Sequence, residues 1–326
     1  MIRAGIAEAR ILAGRRPIPE VILDSATDER TRNKLLLAME ARRFAETRLA
    51  LDVGNSYTSF TRLDRDTLAL VLSAAHRDRM EARTWWFPIV GRVPYKGYFD
   101  EDDALEAQAN MEREGLDTYL RPTAAFSTLG WFADPLLSTV VRYDEVELVA
   151  TIIHELSHNH LFVSGRVRFN ESYATWVGRV GAVEFFCTRE GGGPDTNWCL
   201  RAGARWRDAQ RFSVFLDDLV NDLAALYGDE ELSAEAKVAR RAEVFETHRR
   251  RFETQVQPTF ESLTFGSFLS DPLNNATLMA RMLYYHRLPD FDALYQREGG
   301  DLSGAVAFLK TGAGTVDDPF ELLPGG

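Results

Sequence analysis

Two histidines four residues apart bracket a glutamate in the run His154-Glu155-Leu156-Ser157-His158, and Glu171 follows after twelve intervening residues. This pattern constrains the fold more than any other in the chain, because it calls for a helix and a second segment returning to it. On an α-helix, residues four apart share a face, so both imidazoles can reach one metal ion. Glu155 then lies beside the ion, free to act as the general base of a zinc-dependent hydrolysis. With six histidines in 326 residues, roughly one such chain in a hundred would carry the spacing by chance, so the flanking sequence has to decide. Asp144 suits an N-cap, with Glu147 three residues later as a variant of the capping box. Val146, Val149, Ala150 and Ile153 give an apolar stripe at helical spacing, which predicts a buried helix. Two buried imidazoles beside a carboxylate are hard to satisfy without a cation, and this favours Zn2+ over a pair of hydrogen-bonded helix histidines.

A catalytic zinc needs a third protein ligand and an open fourth position. His160, two residues past His158, falls on another face of the helix and reads as a surface or supporting histidine. The metzincin spacing is excluded, because Asn159, His160, Leu161, Phe162, Val163 and Ser164 follow His158 without its glycine and third histidine. Glu171 remains. Ser164-Gly165 breaks the helix and lets the chain turn back. A second helix from about Asn170, with Tyr173, Trp176, Val177 and Val180 inward, would aim Glu171 at the metal. The structural alternative for Glu171 is an acidic residue in a first helical turn, favoured by the helix dipole.

The segment FNESYATWV after HELSH resembles the second ligand helix of the gluzincin metallopeptidases, where an Asn-Glu pair follows HExxH on a separate helix. More narrowly, the chain is similar to a bacterial family labelled putative aminopeptidase. The similar segments are Phe87-Pro88 with Gly91, Pro94 to Phe99, Ser127 to Phe132 with Asp134-Pro135, the metal motif, Asn274-Asn275-Ala276 leading to Tyr284, and Gly299 to Leu302. The resemblance implies His154, His158 and Glu171 as zinc ligands, Glu155 as general base and Tyr284 as a donor to the oxyanion, with Tyr285 and His286 as alternatives. A packed helix aromatic is the structural reading of Tyr284. Asn170 and Thr175 are candidates for orienting the ligands. The resemblance further implies that Ser127, Thr128, Leu129 and Gly130 form an edge strand binding an extended peptide through main-chain hydrogen bonds. A core strand with a glycine at a close approach explains the same residues equally well.

The fold class expected is α+β, mostly helical, a zincin-like unit over residues 1–326 with a small mixed sheet above the metal-binding helix. An N-terminal lobe, 1–161, would carry the histidines and a C-terminal lobe, 162–326, would carry Glu171 and a helical bundle. Long helices are expected over Asp28 to Leu51, Arg201 to Tyr227 and Ser233 to Val256. Shorter ones are expected over Asp66 to Arg77, Asp100 to Glu114 and Asn274 to Tyr285, the last ended by Leu288-Pro289. Strands are expected at Trp85 to Val90, Tyr95 to Phe99, Thr118 to Leu120 and Ala125 to Trp131. The acidic run Asp100 to Asp103 matches a helix N-terminus better than a calcium loop.

A content of 45% hydrophobic and 27% charged residues suits a large soluble core, and no apolar run is long enough to span a membrane. The net charge of −11 argues against a general nucleic-acid partner; the expected partner is a peptide or protein substrate. Oligomeric state is not legible. The first residues, MIRAGIAEARILAGRR, lack the apolar run of a secretory signal, whereas the family resemblance points to the cell envelope; a chain complete as given would be cytoplasmic. Cys187 and Cys199 flank a Gly-rich loop and would be bridged in an oxidising compartment and free thiols in the cytoplasm. Three functional readings stand at this level: an aminopeptidase, a zinc endopeptidase with an open cleft, and a zinc-stabilised binding or scaffold protein without turnover.

Overall fold

The computed structural model describes residues 11–64, 67–87, 91–123 and 134–325. Among these, the order is β1 (Arg16–Pro17), α1 (Ile18–Leu23), α2 (Glu29–Thr47), β2 (Ser59–Thr61), β3 (Ala69–Ala75), β4 (Trp85–Phe87), β5 (Gly91–Val93), β6 (Tyr95–Tyr98), α3 (Glu101–Arg113), β7 (Asp117–Thr123) and β8 (Leu136–Leu137). Helices then dominate: α4 (Ser138–Val141), α5 (Glu145–His160), α6 (Val167–Thr188), α7 (Asn197–Gly228), α8 (Ala234–Arg251), α9 (Ser267–Ser270), α10 (Asn275–Met282), α11 (Leu288–Arg297) and α12 (Leu302–Gly312). The class is α+β, mostly helical with small sheets, as expected. None of the described helices is long and apolar enough to cross a membrane.

The strands form separate small sheets. Strand β3 is the centre of an antiparallel sheet, with β6 on one side and β7 on the other. Helices α3 and α10 pack on this sheet. A mixed sheet joins β1, β2 and β8, the last leading through α4 into α5. Strands β4 and β5 pair as a hairpin. The helix expected over Asp66 to Arg77 is therefore wrong: residues 69–75 are strand β3. Its sequence ALVLSAA is apolar nearly throughout and mostly buried, so it has no alternation to betray a strand, and pairing on both edges overrides the helical preference of Ala and Leu.

Side-chain caps, Thr196 of α7 among them, open half of the twelve described α-helices. Asp28, Asp100, Asp144, Ser233 and Asn274 each accept a backbone N–H in the first turn of α2, α3, α5, α8 and α10. Leu288-Pro289 does not end a helix as expected but opens α11, where proline in the first turn lacks only a donor that would go unused. Helix α10 stops at Met282 instead, and the chain turns through Arg287 at φ 55°.

Two apolar clusters account for most of the core. The larger surrounds α5 and α6 and draws on α2, β2, β8, α11 and α12, with Tyr173, Trp176 and Phe291 fully buried. The second is aromatic, built from Phe212, Phe215, Phe252 and Phe268 with Leu216, Leu219 and Leu223 of α7. Each such side chain contributes about 1.5–3 kcal/mol through burial.

Cys187 at the end of α6 is disulfide-bonded to Cys199 at the start of α7. The bridge closes the Gly-rich connection between the two helices. Replacing both cysteines by serine is expected to lower the unfolding free energy by about 2–3 kcal/mol, read by denaturant titration against the oxidised wild type.

Candidate metal centre

Helix α5 begins where Asp144 accepts the N–H groups of Val146 and Glu147 at 3.1 and 3.2 Å. Glu147 does not reach back to close a capping box. Its carboxylate is held by Arg179 of α6 at 2.7 and 3.0 Å, while Arg205 of α7 grips both oxygens of Asp144 at 2.9 and 2.8 Å. This network ties the start of α5 to α6 and α7. Further along, Val146, Val149, Ile153 and Leu156 are buried, which fixes the helix rotation and turns His154 and His158 to one side.

Gly165, at φ 76°, takes the turn between α5 and α6. Helix α6 starts at Val167, three residues earlier than the sequence suggests. Glu171 therefore lies in the second turn, where the dipole explanation for an acidic residue loses force. Asn170 accepts the N–H of Val163 and donates to its C=O, each at 2.9 Å. Asn170 thus clamps the connecting loop, and neither it nor Thr175 hydrogen-bonds a candidate ligand among the described residues. Tyr173, Trp176, Val177 and Val180 face inward as expected.

The close approach of α5 and α6 depends on two glycines. A Cβ on Gly178 would lie 2.5 Å from the carbonyl oxygen of Ala150 and 3.0 Å from Cβ of His154; one on Gly181 would lie 3.1 Å from Ile153 and from Leu49. No side chain larger than hydrogen fits at Gly178 without separating the helices.

The result brings the three expected ligands together. Nε2 of His154 lies 3.4 Å and Nε2 of His158 3.6 Å from the same oxygen of Glu171. The candidate ligand atoms of the three residues all fall within 4.8 Å of one another. Burial raises the Glu171 carboxyl, but hydrogen bonds and charge from His154 and His158 outweigh it and hold the group ionised far into acid. His160 is turned away and accepts the N–H of Asp52 at 3.0 Å.

Glu155 sits beside these residues with no hydrogen bond or ion pair to any described residue. Burial raises its carboxyl above the ordinary value, the two histidines oppose that, and Glu171 adds to it. A carboxylate left unpaired in such a place is available to take a proton.

Tyr284 reaches the same place from the far end of the chain. Ser172 of α6 donates to the carbonyl of Leu283 at 2.9 Å and accepts the N–H of His286 at 3.3 Å, which pins the turn after α10. The Tyr284 ring stacks on His154, with centroids 6.2 Å apart and planes 27° apart. Burial and the Glu171 charge push its phenol well above the usual range, so it stays an O–H donor. Its neighbours go elsewhere: Tyr285 packs against Phe212 and Phe265, and His286 meets Asp217 at 3.1 Å. Ser127, Thr128, Leu129 and Gly130 lie outside the described residues.

Sequence reasoning missed several neighbours of the site. Arg121 of β7 donates to the Tyr284 phenol oxygen at 3.3 Å. The Tyr95 phenol is raised by burial, then by the charge of Glu171, and the Tyr57 phenol by burial, then by Glu155. Only the glycine spacing in Trp176-Val177-Gly178-Arg179-Val180-Gly181 offered a local signal, that of a helix packed closely on another.

No curated protein and no solved structure matches this chain. The model of the family described as "Putative aminopeptidase" matches residues 1–313, and the chain belongs to that family.

Proposed function

We propose that the chain is a zinc-dependent peptidase of gluzincin type with a zincin-like arrangement, acting as an aminopeptidase. The observation that carries this reading is the convergence of His154, His158 and Glu171 on one point with unpaired Glu155 alongside. Two imidazoles and a carboxylate are a donor set suited to catalytic zinc, which keeps a fourth position open. When bound, zinc supplies Lewis acidity, activating water near neutral pH and polarising the scissile carbonyl.

The chain's own groups do the rest. Glu155 takes the proton of the attacking water and passes it to the leaving amine. Tyr284 donates its O–H to the oxygen that gains charge, with Arg121 supplying a donor to the other side of the phenol. The site then sits where an N-terminal half, 1–161, meets a C-terminal half, 162–326. Main-chain pairing with an extended peptide is assigned to residues 127–130 by family resemblance.

The test is digestion of matched free and N-acetylated peptides before and after chelation. Cleavage that stops with chelator, returns with zinc and is confined to free amino termini is the expected result. Retained cleavage of the acetylated peptides would eliminate a strict aminopeptidase in favour of an endopeptidase; no cleavage by zinc-loaded protein would eliminate the peptidase reading.

A further inference from the structure

Among the described residues next to the three ligands, one cation feels the charge of Glu171 but makes no ion pair. Arg121 is on β7, an outer strand of the antiparallel sheet, where it sits opposite Val71. Its side chain donates to the Tyr284 phenol oxygen at 3.3 Å and lies 5.7 Å from the centre of that ring. No described carboxylate pairs with it. Other partly buried arginines among the described residues are matched by a carboxylate, as Arg179 is to Glu147, Arg205 to Asp144, Arg241 to Asp117 and Arg281 to Asp271, or by backbone carbonyls, as Arg32 and Arg249 are. A guanidinium presents five N–H donors in a rigid fork suited to a carboxylate, and leaving it partly buried without one is costly.

The complementary feature is also informative. The described carboxylates beside the site, Glu155 and Glu171, already have roles as base and ligand. No further unpaired carboxylate is described there to hold a substrate ammonium. Charge at this site thus favours an anionic end of a substrate.

Spacing narrows which end. The Tyr284 ring is stacked at 6.2 Å on His154, and the Arg121 guanidinium lies 5.7 Å from the centre of the same ring. An extended peptide advances ~3.5 Å per residue. A scissile carbonyl held at the three ligands therefore brings a carboxylate one or two residues further on within reach of Arg121.

We propose that Arg121 binds the free carboxylate of a short peptide, so that the substrates are di- and tripeptides whose carboxyl terminus lies one or two residues past the cleaved bond. In a dipeptide, removing the amino-terminal residue and recognising the carboxyl terminus are one event, which is compatible with the family. The inference rests on the peptidase reading of this site. An aspartate side chain after the cleaved bond offers the same chemistry from a second source.

Zinc-loaded full-length protein is compared on alanyl-phenylalanine, its carboxyl-terminal amide and alanyl-aspartate amide. The wild type is expected to favour the free acid over the phenylalanine amide by about ten- to a hundredfold in kcat/KM, mostly through KM. Arg121→Gln should bring that ratio close to one, and Arg121→Lys should retain part of it. Rapid cleavage of alanyl-aspartate amide would identify the side chain as an accepted source of the carboxylate. A wild-type ratio near one, or a ratio untouched by Arg121→Gln, would overturn the proposal. The wild-type comparison decides without variants where Arg121→Gln fails to fold. Cleavage of none of the three would remove the peptidase reading alone. Calorimetric titration of the free acid and its amide into Glu155→Gln protein then decides on Arg121: tighter binding of the acid that is lost with Arg121→Gln supports it, and equal binding overturns it.

Discussion

Glu155→Gln is expected to lower kcat by about 10²- to 10⁴-fold while zinc content stays at the wild-type level. The substitution keeps the size of the side chain and removes its charge together with its capacity to accept a proton. Glu155 has no hydrogen bond or ion pair to a described residue, so no structural contact is lost. Stability gives an independent reading. In metal-free protein the folded state raises the Glu155 pKa, first through burial. A carboxyl raised on folding weakens the folded state at pH above both its values, and that penalty disappears as pH falls below the unfolded value. Metal-free Glu155→Gln should therefore be at least as stable as the wild type near neutral pH, and this advantage should vanish in acid. Full turnover by Glu155→Gln would remove Glu155 from the mechanism as the general base.

Gly178→Val is expected to cost about 3 kcal/mol or more of stability and to weaken zinc binding at least tenfold. A Cβ there meets the backbone oxygen of Ala150 at 2.5 Å, which no rotamer change can relieve. The helices must separate, and His154, whose Cβ is the next neighbour at 3.0 Å, moves with α5 away from Glu171. Gly203→Ala on α7 is the control, since its nearest neighbour is the movable end of Arg207 at 3.3 Å. Alanine at that helical position should be neutral or stabilising by up to about 1 kcal/mol. Denaturant unfolding and zinc titration of the two variants read both effects. Wild-type stability and affinity in Gly178→Val would contradict the assignment of this contact as the determinant of ligand spacing.

Local sequence proved informative where local physics governs. The cap at Asp144, the acidic helix start at Asp100, the break at Ser164-Gly165 and the inward face of Tyr173, Trp176 and Val177 all follow from side-chain chemistry within a few residues. The same holds for His154 and His158, whose common face is set by helical geometry alone. Strand β3 was misread because a segment apolar along its whole length carries no periodicity, and only its partners β6 and β7 make it a strand. Position Glu171 was legible, but its distance from the histidines is not a local property: Gly178, Gly181 and the Glu147–Arg179 pair set it through contacts between helices. Arg121 carries no motif of its own, and Tyr95 lies in the Pro94 to Phe99 segment with nothing local to link it to the site. They reach the site because β3 pairs with both of their strands and the turn after α10, pinned by Ser172, brings Tyr284 to meet them.

The most direct test of the zinc assignment is an equilibrium zinc titration with metal analysis of the wild type alongside Glu171→Ala. One zinc per chain in the wild type, with affinity lost or greatly weakened in Glu171→Ala at unchanged secondary structure, is the predicted result. A wild type that binds no zinc, or zinc binding indifferent to Glu171→Ala, would contradict the site proposed for His154, His158 and Glu171.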